Sequence, residues 1–342
     1  MYHGFKIAVV VPAYCEEAKI TGALTSLPEL VDHIVAIDDA STDRTYEALK
    51  SIQDPRVTVL KLPQNGGVGA ATLAGFKQAI ELSADILVKM DGDGQMDPAR
   101  LPALLEPICR GEADYVKGNR FLHTRELVQM PLLRRLGNIG LSFMTKLASG
   151  YWAIFDPTNG YVAIHSAVAK LLDPERVHKR FFFESSILLD LGLHRAVVKD
   201  VYLPARYRDE TSTLSKRRAL LEFPPLLLKG FLRRLLIQYF VRDFNAVSLF
   251  VIAGVCSTSF GTLWGLYHWM LSAESGIFAS TGTVMIAVLP LILGLQLLLQ
   301  AIVMDVQNAP AEPIHDAIVT DARSFPANAR SPASVNVDSG QR

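Results

Sequence analysis

The sequence has no net charge, with 34 Lys and Arg set against 34 Asp and Glu. Without a basic surplus it gives no support for a nucleic-acid partner. Cysteine is scarce: Cys15, Cys109 and Cys256 are odd in number, far apart and without a C-x-x-C spacing. That argues against a disulfide framework or a structural zinc site, and fits a reducing compartment for the soluble part. Two common nucleotide signatures are missing. Gly67-Val68-Gly69 is followed by Ala70-Ala71-Thr72, so G-x-G-x-x-G is not completed, and no G-K-[ST] occurs. Nucleoside triphosphate hydrolysis and dinucleotide redox chemistry thereby lose their main support. A cleavable leader is not expected either, because the apolar run Ile7 to Val11 is short and ends at Pro12. No internal repeat is visible.

What is present is an alternation of short β-branched runs with helical patterns over the first 110 residues. The runs Ile7 to Val11, His33 to Ile37, Val57 to Leu62 and Ile86 to Met90 read as strands. The helical patterns between and after them lie near Ala18 to Leu27, Asp43 to Ile52, Gly69 to Leu82 and Pro98 to Cys109. Further strands are expected at Asp114 to Lys117, Tyr161 to Ile164 and Val197 to Leu203. The alternation predicts an α/β fold with a mostly parallel sheet covered by helices. Ser41, Asp43 and Asp97-Pro98 are the helix-start candidates.

Two stretches, Ala246 to Met270 and Thr281 to Met304, are nearly free of charge. Each reaches the roughly 20 residues a helix needs to cross a bilayer. Arginines 233, 234 and 242 precede them, others follow, and the connector Leu271 to Ser280 has no Lys or Arg. This pattern predicts the N-terminal part and the tail in the cytoplasm, with Trp264, Tyr267, His268 and Trp269 near the outer end. Between Pro131 and Gly150 the apolar residues Leu132, Leu133, Leu136, Ile139, Phe143, Met144 and Leu147 share one helical face. Core packing and a membrane interface both explain that stripe. Leu220 to Val241 is a second such segment, and the Ala, Pro, Ser and Asn-rich tail from Asn308 is expected to be disordered.

Chemistry concentrates where strands should run out into loops, the edge on which α/β folds keep their ligands. Asp91-Gly92-Asp93-Gly94-Gln95 places two carboxylates one residue apart. They form a candidate clamp for a divalent cation shared with a substrate's phosphates, although D-G-D-G also suits an ordinary turn. A calcium loop of the EF-hand type is a poor alternative, because counting from Asp91 finds Met96 and Pro102 where Gly and Glu are needed. The other strand ends carry Pro12-Ala13-Tyr14-Cys15-Glu16, Asp38-Asp39-Ala40-Ser41 and Asn65-Gly66-Gly67. An aromatic with carboxylates suits a nucleoside, and glycines let backbone N–H groups approach a phosphate.

In order and spacing, V-P-A-Y-x-E, D-D-A-S-T-D-R-T, N-G-G-V-G-A-A and D-G-D-G-Q-M-D-P resemble the catalytic domain of family 2 glycosyltransferases with the GT-A fold. Gly118-Asn119-Arg120-Phe121, Arg135-Leu-Gly-Asn138, Asp156-Pro-Thr-Asn-Gly160-Tyr161, Phe183-Glu184-Ser185 and Arg206-Tyr-Arg-Asp-Glu210 narrow the resemblance to polyprenyl-phosphate glycosyltransferases, relatives of dolichol-phosphate mannose synthase. It covers roughly Lys6 to Met304, including the paired C-terminal spans of the bacterial branch.

The resemblance implies that Pro12, Tyr14, Glu16, Asp39, Asn65, Gly67 and Asp91 bind the donor nucleotide. Strand alternation makes Asp38 and Asp39 point differently, so one of them is structural. Asp91, Asp93 and Gln95 would hold Mg2+ or Mn2+ on the donor diphosphate. Arg120, Arg135 and Arg206 would take the acceptor's lipid phosphate. Asp156, with Asp93, is the catalytic candidate, positioning or deprotonating the acceptor, and Glu184 is its rival. Cys15 departs from the relatives' frequent Asn, and Arg208 from their Gly.

The implied activity is metal-dependent, inverting transfer of one sugar from a nucleotide sugar to a polyprenyl phosphate, with undecaprenyl phosphate the expected acceptor. A processive polysaccharide synthase is the alternative, though no Q-x-x-R-W occurs. A non-catalytic nucleotide-binding membrane scaffold is another. The expected layout is a cytoplasmic GT-A domain over 1–218 with an interfacial helix near 131–149. A juxtamembrane segment at 219–244, a two-helix hairpin at 245–305 and a tail at 306–342 would follow. The expected setting is a multi-pass protein of the inner membrane, in a homo-oligomer.

Overall fold

The computed structural model describes residues 1–120, 132–203 and 216–324. Seven strands form one sheet: β1 (Ile7–Ala13), β2 (His33–Asp38), β3 (Val57–Lys61), β4 (Ile86–Lys89), β5 (Tyr115–Asn119), β6 (Val162–His165) and β7 (Val198–Tyr202). Their order is β3-β2-β1-β4-β6-β5-β7. β1 pairs in parallel with β2 and β4, β2 with β3, and β5 with β7, while β6 runs antiparallel between β4 and β5. The expected mostly parallel α/β sheet is what forms. Its inner strands are continuous apolar runs because both faces are covered; all seven residues of β1 are buried.

One face packs Val9, Val11, Ile34 and Val88 against Ile20 and Leu24 of α1 (Ile20–Thr25) and Leu104 and Ile108 of α4 (Leu101–Cys109). The other packs Val10, Val35, Ile37 and Leu87 against α3 (Val68–Glu81) and α7 (Phe183–His194). Fully burying each such aliphatic side chain contributes about 1.5–3 kcal/mol. α2 (Thr45–Lys50) begins two residues after Asp43, whose carboxylate accepts the Thr45 N–H, and Asp97 accepts from Ala99 at a short 3-10 turn over Pro98–Arg100. β1 runs through Pro12 because the backbone of Val10, like that of Pro12, faces β4, and β4 ends opposite Val10. No ladder donor is therefore missing at the proline.

β1 is the point where the strand order reverses. Chain leaves it toward β2 and β3 on one side, and β4 returns on its other side. The crevice at the carboxyl ends of β1 and β4 is the switch point at which open α/β sheets bind ligands.

Beyond the sheet, α5 (Leu132–Ser149) packs on α8 (Lys216–Leu236) through Ala148, Phe223 and Leu227, with Leu141, Met144 and Leu226 around them. The α5 stripe divides between its two explanations: Met144 packs toward the core with Ala148, and the side chains of Leu132, Leu133 and Leu136 lie outside the described residues. Ser142, Thr145 and Ser149 are buried along with Ala148, whereas Ile139 and Phe143 are about half exposed, at 49% and 54%. The inward hydroxyls are satisfied locally: Ser142 donates to the Phe155 carbonyl, Thr145 to Leu141 and Ser149 to Thr145. α8 likewise exposes Leu221, Leu228, Leu232 and Leu236. A contiguous apolar surface of this kind marks an interaction face.

A π-helical turn, Ile237–Arg242, leads to α9 (Ala246–Ser275) and α10 (Thr281–Gln307). Asn245 opens α9 with a capping box to Ser248, Gly276 ends it in the left-handed region, and Ser280 caps α10. Both are long and apolar enough to cross a membrane. They begin where the sequence places them and run a few residues further.

Two corrections concern what flanks the hairpin. Arg234, counted among the orienting positive charges, is buried, with Nη1 2.7 Å from Asp305 Oδ1 and Nη2 2.9 Å from Oδ2. It also donates to the carbonyls of Leu147 and Ala148, joining α5, α8 and α10. Of the tail from Asn308, expected to be disordered, the described part instead folds back and forms α11 (His315–Ser324), and residues 325–342 lie outside the described residues. Buried Asp114 accepts from the N–H groups of Ile314, His315 and Val197, and lies 2.7 Å from His315 Nδ1. His315 stacks on His165 at 4.5 Å. Polar composition conceals this docking, since its anchor is a carboxylate nearly two hundred residues upstream. Both ends of the hairpin therefore emerge beside the sheet.

Candidate active site

Tyr14, 47% exposed, and Glu16 follow β1. Between them Cys15 has φ +57, a conformation that Asn adopts more readily than most residues. Cys15 is held there by its N–H on Ser41 Oγ at 3.0 Å and by Sγ at 3.5 Å from Thr42 Oγ1.

At the end of β2 the two aspartates separate as expected. Asp38 is buried and accepts from the Ser41 N–H at 3.1 Å. Asp39 accepts from the N–H groups of Gly66 and Gly67 at 2.8 and 2.7 Å. Asn65 is exposed beside them. The expectation that these glycines present N–H groups to a phosphate is corrected by where those groups go. Gly69 and Ala70 donate to the Lys179 carbonyl at 2.9 and 3.3 Å. Gly67 has φ +89, and a Cβ there would lie 2.6 Å from the Lys179 carbonyl oxygen. The motif serves close approach of the 178–180 segment, and its amides are committed to Asp39 and Lys179.

Asp91, Asp93 and Gln95 follow β4, with Asp93 near enough to Glu16 for their charges to interact. Burial raises the Glu16 carboxyl, and the charge of Asp93 adds to it while Lys19 opposes. Burial likewise raises Asp93, the Asp91 charge adds, and the Gln95 N–H, donating at 3.0 Å, works against it. Asp91 receives the buried ammonium of Lys89 at 2.7 Å, and that ammonium lies 3.4 Å from Glu184 at the start of α7. Burial also raises the Glu184 carboxyl, with Lys89 opposing and Asp91 adding.

Asp156 is buried, and Arg120 grips it bidentately, Nε to Oδ2 at 2.8 Å and Nη2 to Oδ1 at 3.0 Å. Burial pushes this carboxyl up, but the Arg120 hydrogen bonds and charge outweigh it and hold it below the usual range. An anion so stabilised is a weak base, so deprotonation of the acceptor is not what its geometry favours. Behind it, Lys117 donates to the Asp156 carbonyl and pairs with Asp200 at 3.7 Å. Asn119 and the Phe155 N–H donate to Asp200 at 3.1 and 2.9 Å. The loop from Asp156 reaches the Asp91 side at Gly160, where a Cβ would lie 3.1 Å from Asp91 Oδ2.

The strand ends therefore bring together Pro12, Tyr14, Glu16, Asp39, Asp91, Asp93, Gln95, Asp156 and Arg120. The Arg135 side chain, Arg206 and Arg208 lie outside the described residues. Sequence reasoning missed Lys89, Lys117 and Asp200. The available signal was a lysine inside each of two apolar strands, Ile86-Leu-Val-Lys89 and Tyr115-Val-Lys117, since a buried lysine needs a partner.

Residues 8–172 match the family model described as glycosyl transferase family 2. The UDP-N-acetylglucosamine–dolichyl-phosphate N-acetylglucosaminyltransferase of Methanococcus voltae is 33% identical over 216 residues, 57% of this chain and 86% of that protein. The undecaprenyl-phosphate mannosyltransferase of Micrococcus luteus is 30% identical over 179 residues, 51% of this chain and 72% of that protein. Among solved structures, glucosyl-3-phosphoglycerate synthase from Mycobacterium tuberculosis with Mn2+ and UDP-glucose is 23% identical, with a TM-score of 0.49, over 68% of this chain and 79% of that one. With its switch-point site, its ordered motifs and a relative matched over most of its length, the chain belongs to glycosyltransferase family 2.

Proposed function

We propose that the protein transfers a single sugar from a nucleotide sugar to a polyprenyl phosphate, with undecaprenyl phosphate as acceptor, at the cytoplasmic face of the inner membrane. The observation that carries this reading is the position of α5. It turns Ile139 and Phe143 outward and hydroxyls inward, and Ser142 donates to the carbonyl of Phe155, the residue before Asp156. A helix suited to a lipid surface is thus bonded to the acceptor half of the site. α9, α10 and the docked tail support a membrane hairpin with both ends on the catalytic side.

In this reading Tyr14 stacks on the nucleobase, and Glu16 and Asp39 border the nucleoside. Asp91 and Asp93 are two carboxylates at one strand end, and among the described residues no group of three Asp, Glu, His or Cys converges as a metal cage. That donor set fits an ion shared with a diphosphate better than a site built from protein alone. Asp91, Asp93 and Gln95 would hold Mg2+ or Mn2+, whose charge offsets that of the departing nucleoside diphosphate. Asp156 fixes the plane of the Arg120 guanidinium, which with Arg135 and Arg206 would orient the lipid phosphate. A phosphate is anionic at neutral pH, so orientation matters more than a base, and its direct in-line attack inverts the anomeric carbon.

The test uses the full chain in nanodiscs with Mn2+, undecaprenyl phosphate and a panel of UDP and GDP sugars, read by mass spectrometry. One added sugar is expected. Products carrying many sugars would establish a processive synthase, and no turnover of any donor would overturn the reading.

A further inference from the structure

Lys89, the last residue of β4, has no solvent exposure. Its ammonium is enclosed by Asp91 Oδ1 at 2.7 Å, Glu184 Oε1 at 3.4 Å and the backbone of Gly160. At Gly160 a Cβ would lie 2.5 Å from Lys89 Nζ and 3.3 Å from Glu184 Oε1, so any side chain there would have to push the ammonium aside. β4 alternation puts Lys89 and Asp91 on the sheet face that α7 covers, the face from which Glu184 points back. One cation thus sits between two carboxylates supplied by different elements, the arrangement a divalent ion would otherwise make.

We infer that Lys89 is a positioning residue of the donor site: its ammonium is an internal cation that fixes Asp91 and keeps Asp91 and Glu184 from chelating a metal before the nucleotide arrives. This rests on the donor chemistry proposed above. With Oδ1 held by Lys89, Asp91 has Oδ2 left to turn to an ion, and Asp93 stands two residues on. Two such oxygens are a poor site alone and a sufficient one once diphosphate oxygens complete the shell. Metal binding then depends on the nucleotide, and the rotamer of Asp91 is set before the donor binds.

The experiment titrates Mn2+ into wild type, Lys89→Met and Lys89→Met/Glu184→Gln, alone and with UDP or GDP, reading free Mn2+ by electron paramagnetic resonance. Transfer kinetics are measured in parallel. Wild type should bind Mn2+ strongly only with nucleoside diphosphate. Lys89→Met should bind Mn2+ alone at least tenfold tighter than wild type, because its two carboxylates have lost their cation, and its kcat should fall at least tenfold. The double variant should lose the metal-alone binding again yet keep the low kcat, since nothing restores the hold on Asp91. Wild-type Mn2+ binding and wild-type kcat in Lys89→Met, whatever its melting temperature, would leave Lys89 a support of the fold and overturn the inference. If Lys89→Met does not fold, the double variant, which neutralises Glu184, the more buried of the two carboxylates that lose their cation, carries the test, and a wild-type kcat there overturns it. Failure of wild type to use any donor would instead sink the functional proposal, and the Mn2+ titrations would still judge Lys89.

Discussion

The proposed donor and acceptor halves of the site use the same residue type in opposite ways. Asp93 has an acidic neighbour and no arginine among its main influences, and burial raises its carboxyl. Asp156, the more deeply buried of the two, is gripped by Arg120 and held low. Environment, not identity, sets the role of each carboxylate. The donor half keeps acidic oxygens ready for a cation, and the acceptor half uses its carboxylate to hold a guanidinium.

The largest effect should come from breaking the donor half. Asp91→Asn together with Asp93→Asn should lower transfer by on the order of 10²- to 10³-fold, because stabilisation of the leaving diphosphate is lost. Circular dichroism and nanodisc insertion should be unchanged. Next is Arg120→Met, which strands buried Asp156. It should destabilise the catalytic domain by about 1–3 kcal/mol, the partial exposure of Arg120 reducing the cost. Asp156→Asn combined with Arg120→Met should recover much of that loss in a denaturant melt without recovering transfer.

Acid should separate the halves. Asp93 has a raised carboxyl and Asp156 a lowered one, so as pH falls Asp93 takes a proton first. Mn2+-dependent nucleotide binding, followed by calorimetry, should weaken at a higher pH than binding of undecaprenyl phosphate. The docked tail adds its own dependence. Burial, with the neighbouring His315, lowers His165 from 6.5 to about 4, so the unfolded state binds the extra proton between these values. Stability from this group is complete above about 6.5 and is lost as pH falls toward 4, by up to about 3 kcal/mol. Hydrogen exchange over α11 should rise across that window, and His165→Phe should flatten the change. The smallest effect belongs to Phe143→Ser, which should raise the apparent KM for lipid acceptor a few-fold, roughly the consequence of about 1 kcal/mol of lost apolar contact, and leave the donor KM alone.

The strands were legible because their apolar runs are bounded by Gly, Pro and Asp, and the strand-end motifs were legible because parallel topology gathers them on one edge. Asp39 was legible as a site residue, but its bonds to Gly66 and Gly67 were not, since they depend on where a loop from β3 returns. Lys89 was legible only as a lysine in an apolar strand that needs a partner, whereas the partners themselves, one of them 95 residues away, depend on the fold. The stripe on α5 was plain in the sequence, while its direction was set by a hydroxyl bonding to Phe155, which periodicity does not encode. Docking of α11 likewise depends on Asp114, far upstream.

The division between the halves is tested most directly by binding measurements on two variants in nanodiscs, Asp91→Asn and Asp156→Asn, with UDP or GDP plus Mn2+ and, separately, undecaprenyl phosphate. Asp91→Asn should lose the nucleotide and keep the lipid phosphate, and Asp156→Asn should do the reverse. Equal loss of both ligands in both variants would contradict a site built from two independent halves.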